Sequence, residues 1–271
     1  MARYYRWLDG LSFFREKRAE GEAAHPVHRA LADPAGGPAS PMVIHRLMLE
    51  GVALPAAPRV LDAGCGYGAT MIDLAPQLGG DWTGLTLSPE QAARGNAAIA
   101  VAGLADRVRV LVQSYDLPPE GEFDLIYGIE SLIHSADPAA TLLGLARHLA
   151  PGGHLIVVDD MPEPALAPEP AARLAEFKRY WRCPVAPERM GWIVALEAAG
   201  LTLRDERDLN PLLQVRGMPA VAPRLQELRR KPWLRFGLAV RAEAEIGGLV
   251  LETLQTEGFV HYRLLVAQKP S

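Results

Sequence analysis

Cysteine is nearly absent from this 271-residue chain. Cys65 and Cys183 stand alone, with no CxxC pair and no Cys/His cluster. Neither a disulfide framework nor a structural zinc site is supported, and a reducing compartment is the default. Surplus positive charge is missing as well. A formal net charge of -4 gives no general pull toward nucleic acid or an anionic membrane. No apolar run reaches the roughly 18 residues that a membrane span needs, and the N-terminus, MARYYRWLDGLSFFREKRAEGE, is studded with charge. The expectation is a cytoplasmic protein without stable membrane insertion. Aromatic residues make up only 7% of the chain, so their grouping at Tyr4, Tyr5, Trp7, Phe13 and Phe14, and again at Phe177, Tyr180 and Trp181, is informative. No internal repeat is apparent.

What the chain does have is alternation. From Pro58, the β-like runs RVLDA, DWTGLTL, RVRVLVQ, FDLIYGI and GGHLIVVDD are separated by the helical runs TMIDLAPQL, SPEQAARGNAAIAVAG and DPAATLLGLARHLA. That order predicts a parallel sheet with helices on both faces. Ser88-Pro89 with Gln91 reads as a capping box, Asp137-Pro138 reads as a second helix start, and APGG at 150–153 reads as a helix stop and turn. Further on, LTLRDERDL and FVHYRLLVAQKP supply two more strands, the last expected to run antiparallel at the sheet edge. Residues 1–57 are expected to form an N-terminal helical cap, with weak helices near Tyr4 to Glu22 and Pro41 to Glu50. Residues 58–271 are then the main domain, with helical insertions near 162–186 and 211–256.

The turn after the first strand, DAGCGYG, places bare backbone where open α/β sheets bind ligands. Its G-x-G-x-G spacing departs from the dinucleotide G-x-G-x-x-G, which counts against a nicotinamide dehydrogenase. A structural turn that merely requires glycine is the alternative. Residues 58–162 resemble the Rossmann-like core of class I S-adenosylmethionine-dependent methyltransferases, which implies a mainly parallel seven-stranded sheet. The resemblance implies S-adenosylmethionine as cofactor, with Asp62 at its methionine end and Gly64, Gly66 and Gly68 bordering it. The family's usual acid after the second strand is missing. In its place stands TLSPEQ, similar to a T-L-S-P-x-Q segment of tocopherol-type methyltransferases, which makes Thr86, Leu87, Ser88 and Gln91 the candidates for ribose and adenine contact. For Ser88, helix capping is an equal alternative. VQSYD matches the next family segment, nominating Ser114 and Tyr115, and Ile129 completes the cofactor set at the end of the fourth strand.

YGIESLIH, residues 127–134, resembles the Y-A-I-E-x-x-x-H segment of sterol C-methyltransferases, and its glutamate is similar to one in geranyl diphosphate C-methyltransferases. The resemblance implies methylation of an alkene carbon in an isoprenoid or similarly apolar small molecule, as in terpene biosynthesis. An alkene that takes a methyl group becomes a carbocation, which a carboxylate in an apolar pocket can stabilise and deprotonate. Glu130 is the candidate for that role and His134 its assistant. The plainer alternative is that Glu130 pairs with an arginine of the cap and His134 is a satisfied polar residue at a helix start. Tyr5, Trp7, Tyr180 and Trp181 are candidates for the acceptor pocket. No protein-held metal is expected, and Mg²⁺ would enter only with a diphosphate acceptor, for which Arg179, Arg182, Arg229, Arg230 and Lys231 could supply charge. The competing readings are an O- or N-methyltransferase of a small natural product and a cofactor-binding protein without turnover. An apolar ring around Glu130 would favour carbon methylation, and a hydrogen-bonding ring would favour oxygen or nitrogen.

Overall fold

The computed structural model describes residues 28–230 and 235–271, with side chains described to 230 and again from 242. Seven strands form one sheet: β1 (Arg59–Ala63), β2 (Asp81–Thr86), β3 (Val108–Val112), β4 (Phe123–Ile129), β5 (Leu149–Pro162), β6 (Thr202–Asp208) and β7 (Val260–Gln268). Their order is β3-β2-β1-β4-β5-β7-β6. The first five are mutually parallel, and β7 runs antiparallel to both neighbours. The antiparallel strand therefore lies one position in, with β6 taking the edge.

Period-two alternation on the central strands divides the core. Val60, Leu125, Ile156 and Val158 face α1 (Val43–Leu47), α2 (Ala69–Leu78) and α3 (Pro89–Val101), whose Ile44, Met71 and Ile99 are buried against them. Leu61, Ile126, Leu155 and Val157 face α4 (Pro138–Arg147) and α6 (Arg189–Ala198) through Leu142, Leu145, Trp192 and Leu196. A third apolar cluster gathers α5 (Pro168–Trp181), α7 (Met218–Arg230) and α8 (Arg235–Thr256) around Phe177, Leu225 and Val250.

Local chemistry sets several boundaries. The Gln91 amide donates to Ser88 Oγ at 3.2 Å and the Ala140 amide to Asp137 Oδ1 at 3.0 Å, so both anticipated helix caps are present. Asn96 on α3 satisfies both peptide groups of Val110, donating to its carbonyl and accepting from its amide at 2.9 Å each. This fastens the helix to the edge strand β3 and occupies backbone groups that would otherwise face solvent. The expected turn at APGG is absorbed into β5, where the β4 pairing shifts register between Phe123 and Leu125. Within 211–256, the expected helical stretch is interrupted by a loop before α7. The described part of the N-terminal segment packs into the main core, since Val43, Ile44, Leu47 and Met48 are all buried there. The helix expected near Tyr4 to Glu22 lies outside the described residues. Among the described residues, no helix is long and apolar enough to cross a membrane.

Candidate cofactor and acceptor site

The strand order reverses between β1 and β4, so the carboxyl ends of β1, β2 and β4 open onto one crevice. All three glycines of the turn have positive φ, at 110° for Gly64, 55° for Gly66 and 74° for Gly68. They are bare for different reasons. A Cβ on Gly64 would stand 2.4 Å from Ser131 Cβ, and one on Gly68 would press on Met71 and Val110 at 3.1 and 3.2 Å. Those two serve close packing. A Cβ on Gly66 would meet nothing within 4 Å, so its bare backbone faces open space in the crevice. The turn reading thus accounts for Gly64 and Gly68, and leaves Gly66 as the glycine open to a ligand.

Asp62 lies at the floor of this crevice, 4% exposed, and makes no ion pair among the described residues. Burial raises its carboxyl to about 7, with the Tyr127 hydroxyl pulling weakly the other way. A buried carboxylate without a counter-charge, beside open backbone, fits a cationic ligand. The sulfonium and amino groups of S-adenosylmethionine meet that requirement.

At the end of β2, Thr86, Ser88 and Gln91 are buried and bonded to one another. Thr86 Oγ1 donates to Gln91 Oε1 at 2.7 Å and accepts from the Ser88 amide at 3.2 Å. Capping is therefore a role that Ser88 does perform, and the network makes the corner rigid. Leu87 is half-buried beside it. Ser114 Oγ donates to Asp116 Oδ2 at 3.1 Å, while Asp116 Oδ1 accepts from Thr141. Tyr115 spans back to β4, its hydroxyl donating to the Ser131 carbonyl at 3.3 Å. Ile129 is partly buried against the core.

Glu130 leaves β4 with φ at 51°, a left-handed conformation that a non-glycine residue adopts only under constraint. Its amide still donates to the Val158 carbonyl at 2.8 Å, so the sheet pairing continues into the bend. The carboxylate accepts from the Arg29 amide at 3.0 Å, and Arg29 Nε lies 4.0 Å away. The Arg29 guanidinium grips Asp160 through two bonds of 2.8 and 2.6 Å and lies 4.9 Å above the Tyr262 ring. Gln255 Nε2 donates to Asp160 Oδ1 at 2.7 Å. Burial raises the Glu130 carboxyl, and Arg29 opposes the rise. The arginine partner anticipated as the plainer reading is present, and the carboxylate is ringed by hydrogen-bonding groups. Next to it, the fully buried Asp159 accepts from the Ile133 amide at 2.9 Å through Oδ2, while burial and then Asp160 push its carboxyl well up.

His134 turns its Nδ1 to Cys183 Sγ at 3.4 Å, and burial lowers its ring to about 4. Tyr180 and Trp181 take part in helix packing. Tyr180 lies under Arg179 at 4.4 Å, and the Trp181 indole donates to the Ala244 carbonyl of α8 at 3.0 Å. Tyr5 and Trp7 lie outside the described residues. Of the basic side chains considered for a diphosphate, Arg182 faces Glu243 at 3.7 Å and Arg229 pairs with Glu176. Arg29, Asp160, Gln255 and Tyr262 were not anticipated from sequence. The acidic end of VVDD was visible, but nothing local announced its partner.

The profile of a family described as a methyltransferase domain matches residues 5–218. The chain belongs to this family, the class I S-adenosylmethionine-dependent methyltransferases, whose cofactor is S-adenosylmethionine. Tocopherol O-methyltransferase of Arabidopsis thaliana is 41% identical over 102 residues, covering 37% of this chain and 29% of that protein. The match to it is therefore confined to less than a third of its length. The 27-O-demethylrifamycin SV methyltransferase of Amycolatopsis mediterranei is 30% identical over 221 residues, 80% of this chain and 79% of the relative. Among solved structures, geranyl diphosphate C-methyltransferase from Streptomyces coelicolor shares the fold with a TM-score of 0.68 at 18% identity, covering 97% of this chain and 98% of that one.

Proposed function

We propose that this protein methylates a hydroxyl group on a small, largely apolar natural-product acceptor of isoprenoid or related type. The observation that carries the reading is the lining of the β4 corner. Arg29 and Tyr262 face Glu130, and Asp160 with Gln255 holds the Arg29 guanidinium beside it, so donors and acceptors gather at the corner, a setting that orients a polar group better than it shelters a bare alkene. The relatives with tocopherol O-methyltransferase and 27-O-demethylrifamycin SV in their names support an oxygen acceptor. When bound, S-adenosylmethionine supplies an electrophilic methyl group. Asp62 and the open backbone at Gly66 would hold it, with the corner at Thr86 to Gln91 and Tyr115 bordering it. Glu130 acts as a hydrogen-bond acceptor that aims the acceptor hydroxyl, and Arg29 fixes the position of that carboxylate.

One observation favours a second reading, methylation of an alkene carbon. Among the described residues Glu130 and Asp160 share one cation, Arg29, so with both ionised the corner would carry one excess negative charge, which would stabilise a carbocation. Transfer of labelled methyl to a panel of phenols, polyketide hydroxyls, sterols, amines and prenyl diphosphates separates the two. Hydroxyl transfer predicts label on oxygen and a Glu130→Gln variant that keeps most of its turnover, because glutamine still accepts a hydrogen bond. Label in a carbon skeleton, abolished by Glu130→Gln, would overturn the proposal in favour of carbon methylation.

A further inference from the structure

Apart from the crevice, the sheet carries a cavity of about 530 Å³ between its outer strands and the turn that follows α1. Strand register shows which side chains enter it. His154 on β5 stands opposite Gln268 on β7, Val266 on β7 stands opposite Asp205 on β6, and Arg207 follows two residues on, so all five rise from one face of the sheet. All five line the cavity, and Glu50 borders it from the turn. His154 is in register with Leu125 and, through it, with Val60 near the start of β1. The cavity thus lies toward the amino ends of the parallel strands, whereas the crevice opens at their carboxyl ends.

Arg204 joins this lining through an irregularity. The β6–β7 register shifts between Leu203 and Asp205, which leaves Arg204 as the extra residue of a bulge, and a bulge re-aims a side chain. Its Nε donates to Gln268 Oε1 at 3.0 Å, and Gln268 is itself fixed by donating from Nε2 to the Gly152 carbonyl at 2.9 Å. The two terminal amino groups of Arg204, and its charge, have no partner among the described residues. The other charges of the lining are spent on one another, since Arg207 pairs with both Glu50 and Asp205. His154 is 5% exposed, and its Nδ1 is buried without a partner, which leaves Nε2 as the ring nitrogen that can meet a ligand. Burial, and then Arg204, lower this ring from the ordinary histidine value. It is therefore neutral at pH 7 and can carry its one hydrogen on Nε2.

We propose that this cavity is a second ligand site, which takes an organic oxyanion, a carboxylate or a phosphate monoester, between the Arg204 guanidinium and His154. Both carboxylates of the lining are held by Arg207, so the groups left over are donors, and a donor set calls for a ligand that accepts. A planar guanidinium whose Nε is already anchored presents its terminal amino groups at a fixed angle, which suits the paired oxygens of such an anion. The volume exceeds what an inorganic ion fills and suits a small organic molecule. Val266 and Ala53 supply an apolar wall for its carbon body. The site is independent of which atom the enzyme methylates.

The test uses the full chain, with benzoate and phenyl phosphate as probes and benzamide and benzylammonium as neutral and cationic controls of similar size. Nitrogen-15 NMR of the imidazoles is expected to show the His154 signals moving as either oxyanion is added, with the hydrogen on Nε2 in the complex. Arg204→Met is expected to weaken oxyanion binding by about tenfold or more, and Arg204→Lys to recover part of the loss. Affinity for S-adenosylhomocysteine should stay within about twofold of wild type in both variants, because the additivity of distant sites applies. The tighter of the two probes decides between carboxylate and phosphate, and either result supports the site. Unchanged binding in Arg204→Met, His154 signals that do not move, or a control that binds as tightly as the oxyanions would each overturn the proposal. So would the absence of binding by both oxyanions at about 20 mM, a concentration that reveals even a weak site. Label on carbon in the methyl-transfer assay would overturn the hydroxyl reading and leave this site untouched.

Discussion

Replacing Asp62 by asparagine should make the ligand-free protein more stable and its complex with cofactor weaker. The carboxyl is raised from an ordinary 3.8 to about 7 in the fold. A group with a raised folded pKa contributes stability that is fully present below about pH 4 and is lost as pH rises through 7. Some three pKa units at 1.36 kcal/mol each give a ceiling of about 4 kcal/mol of destabilisation at pH 8. Local relaxation would bring the realised value to on the order of 2 kcal/mol. The substituted amide does not ionise, so at pH 8 the Asp62→Asn melting temperature should exceed that of wild type by roughly 4–8 °C, and the gap should close below pH 5. Thermal melts across pH 4–9, with and without S-adenosylhomocysteine, are the assay. The same linkage predicts that S-adenosylmethionine binding at pH 7 releases up to about half a proton, because its positive charge drives Asp62 to ionise. Titration calorimetry in buffers of different ionisation enthalpy reads that release. A variant that is less stable than wild type at pH 8, together with binding that releases no proton, would refute the account of Asp62 as a charge awaiting its counter-ion.

Three other substitutions probe the turn, the corner and the sheet edge. Gly66→Ala should weaken S-adenosylhomocysteine binding by about tenfold or more with a small loss of stability, whereas Gly68→Ala, crowded by Met71 and Val110, should lower the melting temperature first; calorimetry and thermal melts distinguish them. Arg29→Met leaves Asp160 and Glu130 without their cation and should cost about 3–5 kcal/mol in denaturant unfolding, with part of that loss recovered when Asp160→Asn is added. Asn96→Ala strips both peptide groups of Val110 of their partner and should cost about 1–3 kcal/mol; hydrogen exchange at the Val110 amide should rise in step.

The alternation of strand and helix from Pro58 to Asp160 was readable because each run buries one face, and burial writes its period into the chain. Ser88-Pro89 and Asp137-Pro138 were readable because a cap is satisfied within four residues. The glycine turn gave its location but not its division of labour, since packing at Gly64 depends on Ser131 and packing at Gly68 depends on Val110, both remote in sequence. Glu130 stood out by its place at the end of β4. Its environment did not, because Arg29 reaches Glu130 across 101 positions and the same Arg29 reaches Asp160 across 131. No period or spacing encodes such pairs. The hydrogen-bonded contacts of His45 with His28 and with Asp73 are hidden in the sequence for the same reason: each residue reads alone as an ordinary polar residue, and only the fold joins them. The order β5-β7-β6 likewise followed from no local signal, as β7 could have taken the edge with the same alternating pattern.

The place of β7 between β5 and β6 has a consequence for how the molecule is assembled. All of α7 and α8 lies between β6 and β7 in the chain, yet among the described residues β6 has no strand partner other than β7. Until that late segment threads between them, β5 shows an open apolar edge and the charged strand RDERD has nothing to pair with. Five strands can zip together from neighbouring pieces of chain, but the last two must wait for a long loop to close. The slow step in refolding should therefore be the docking of residues 260–268, and interruption at that stage should leave a nearly complete sheet with one adhesive side. The acidic and basic residues of β6 then guard the finished edge, while the unfinished edge at β5 has only the arrival of β7 to cover it.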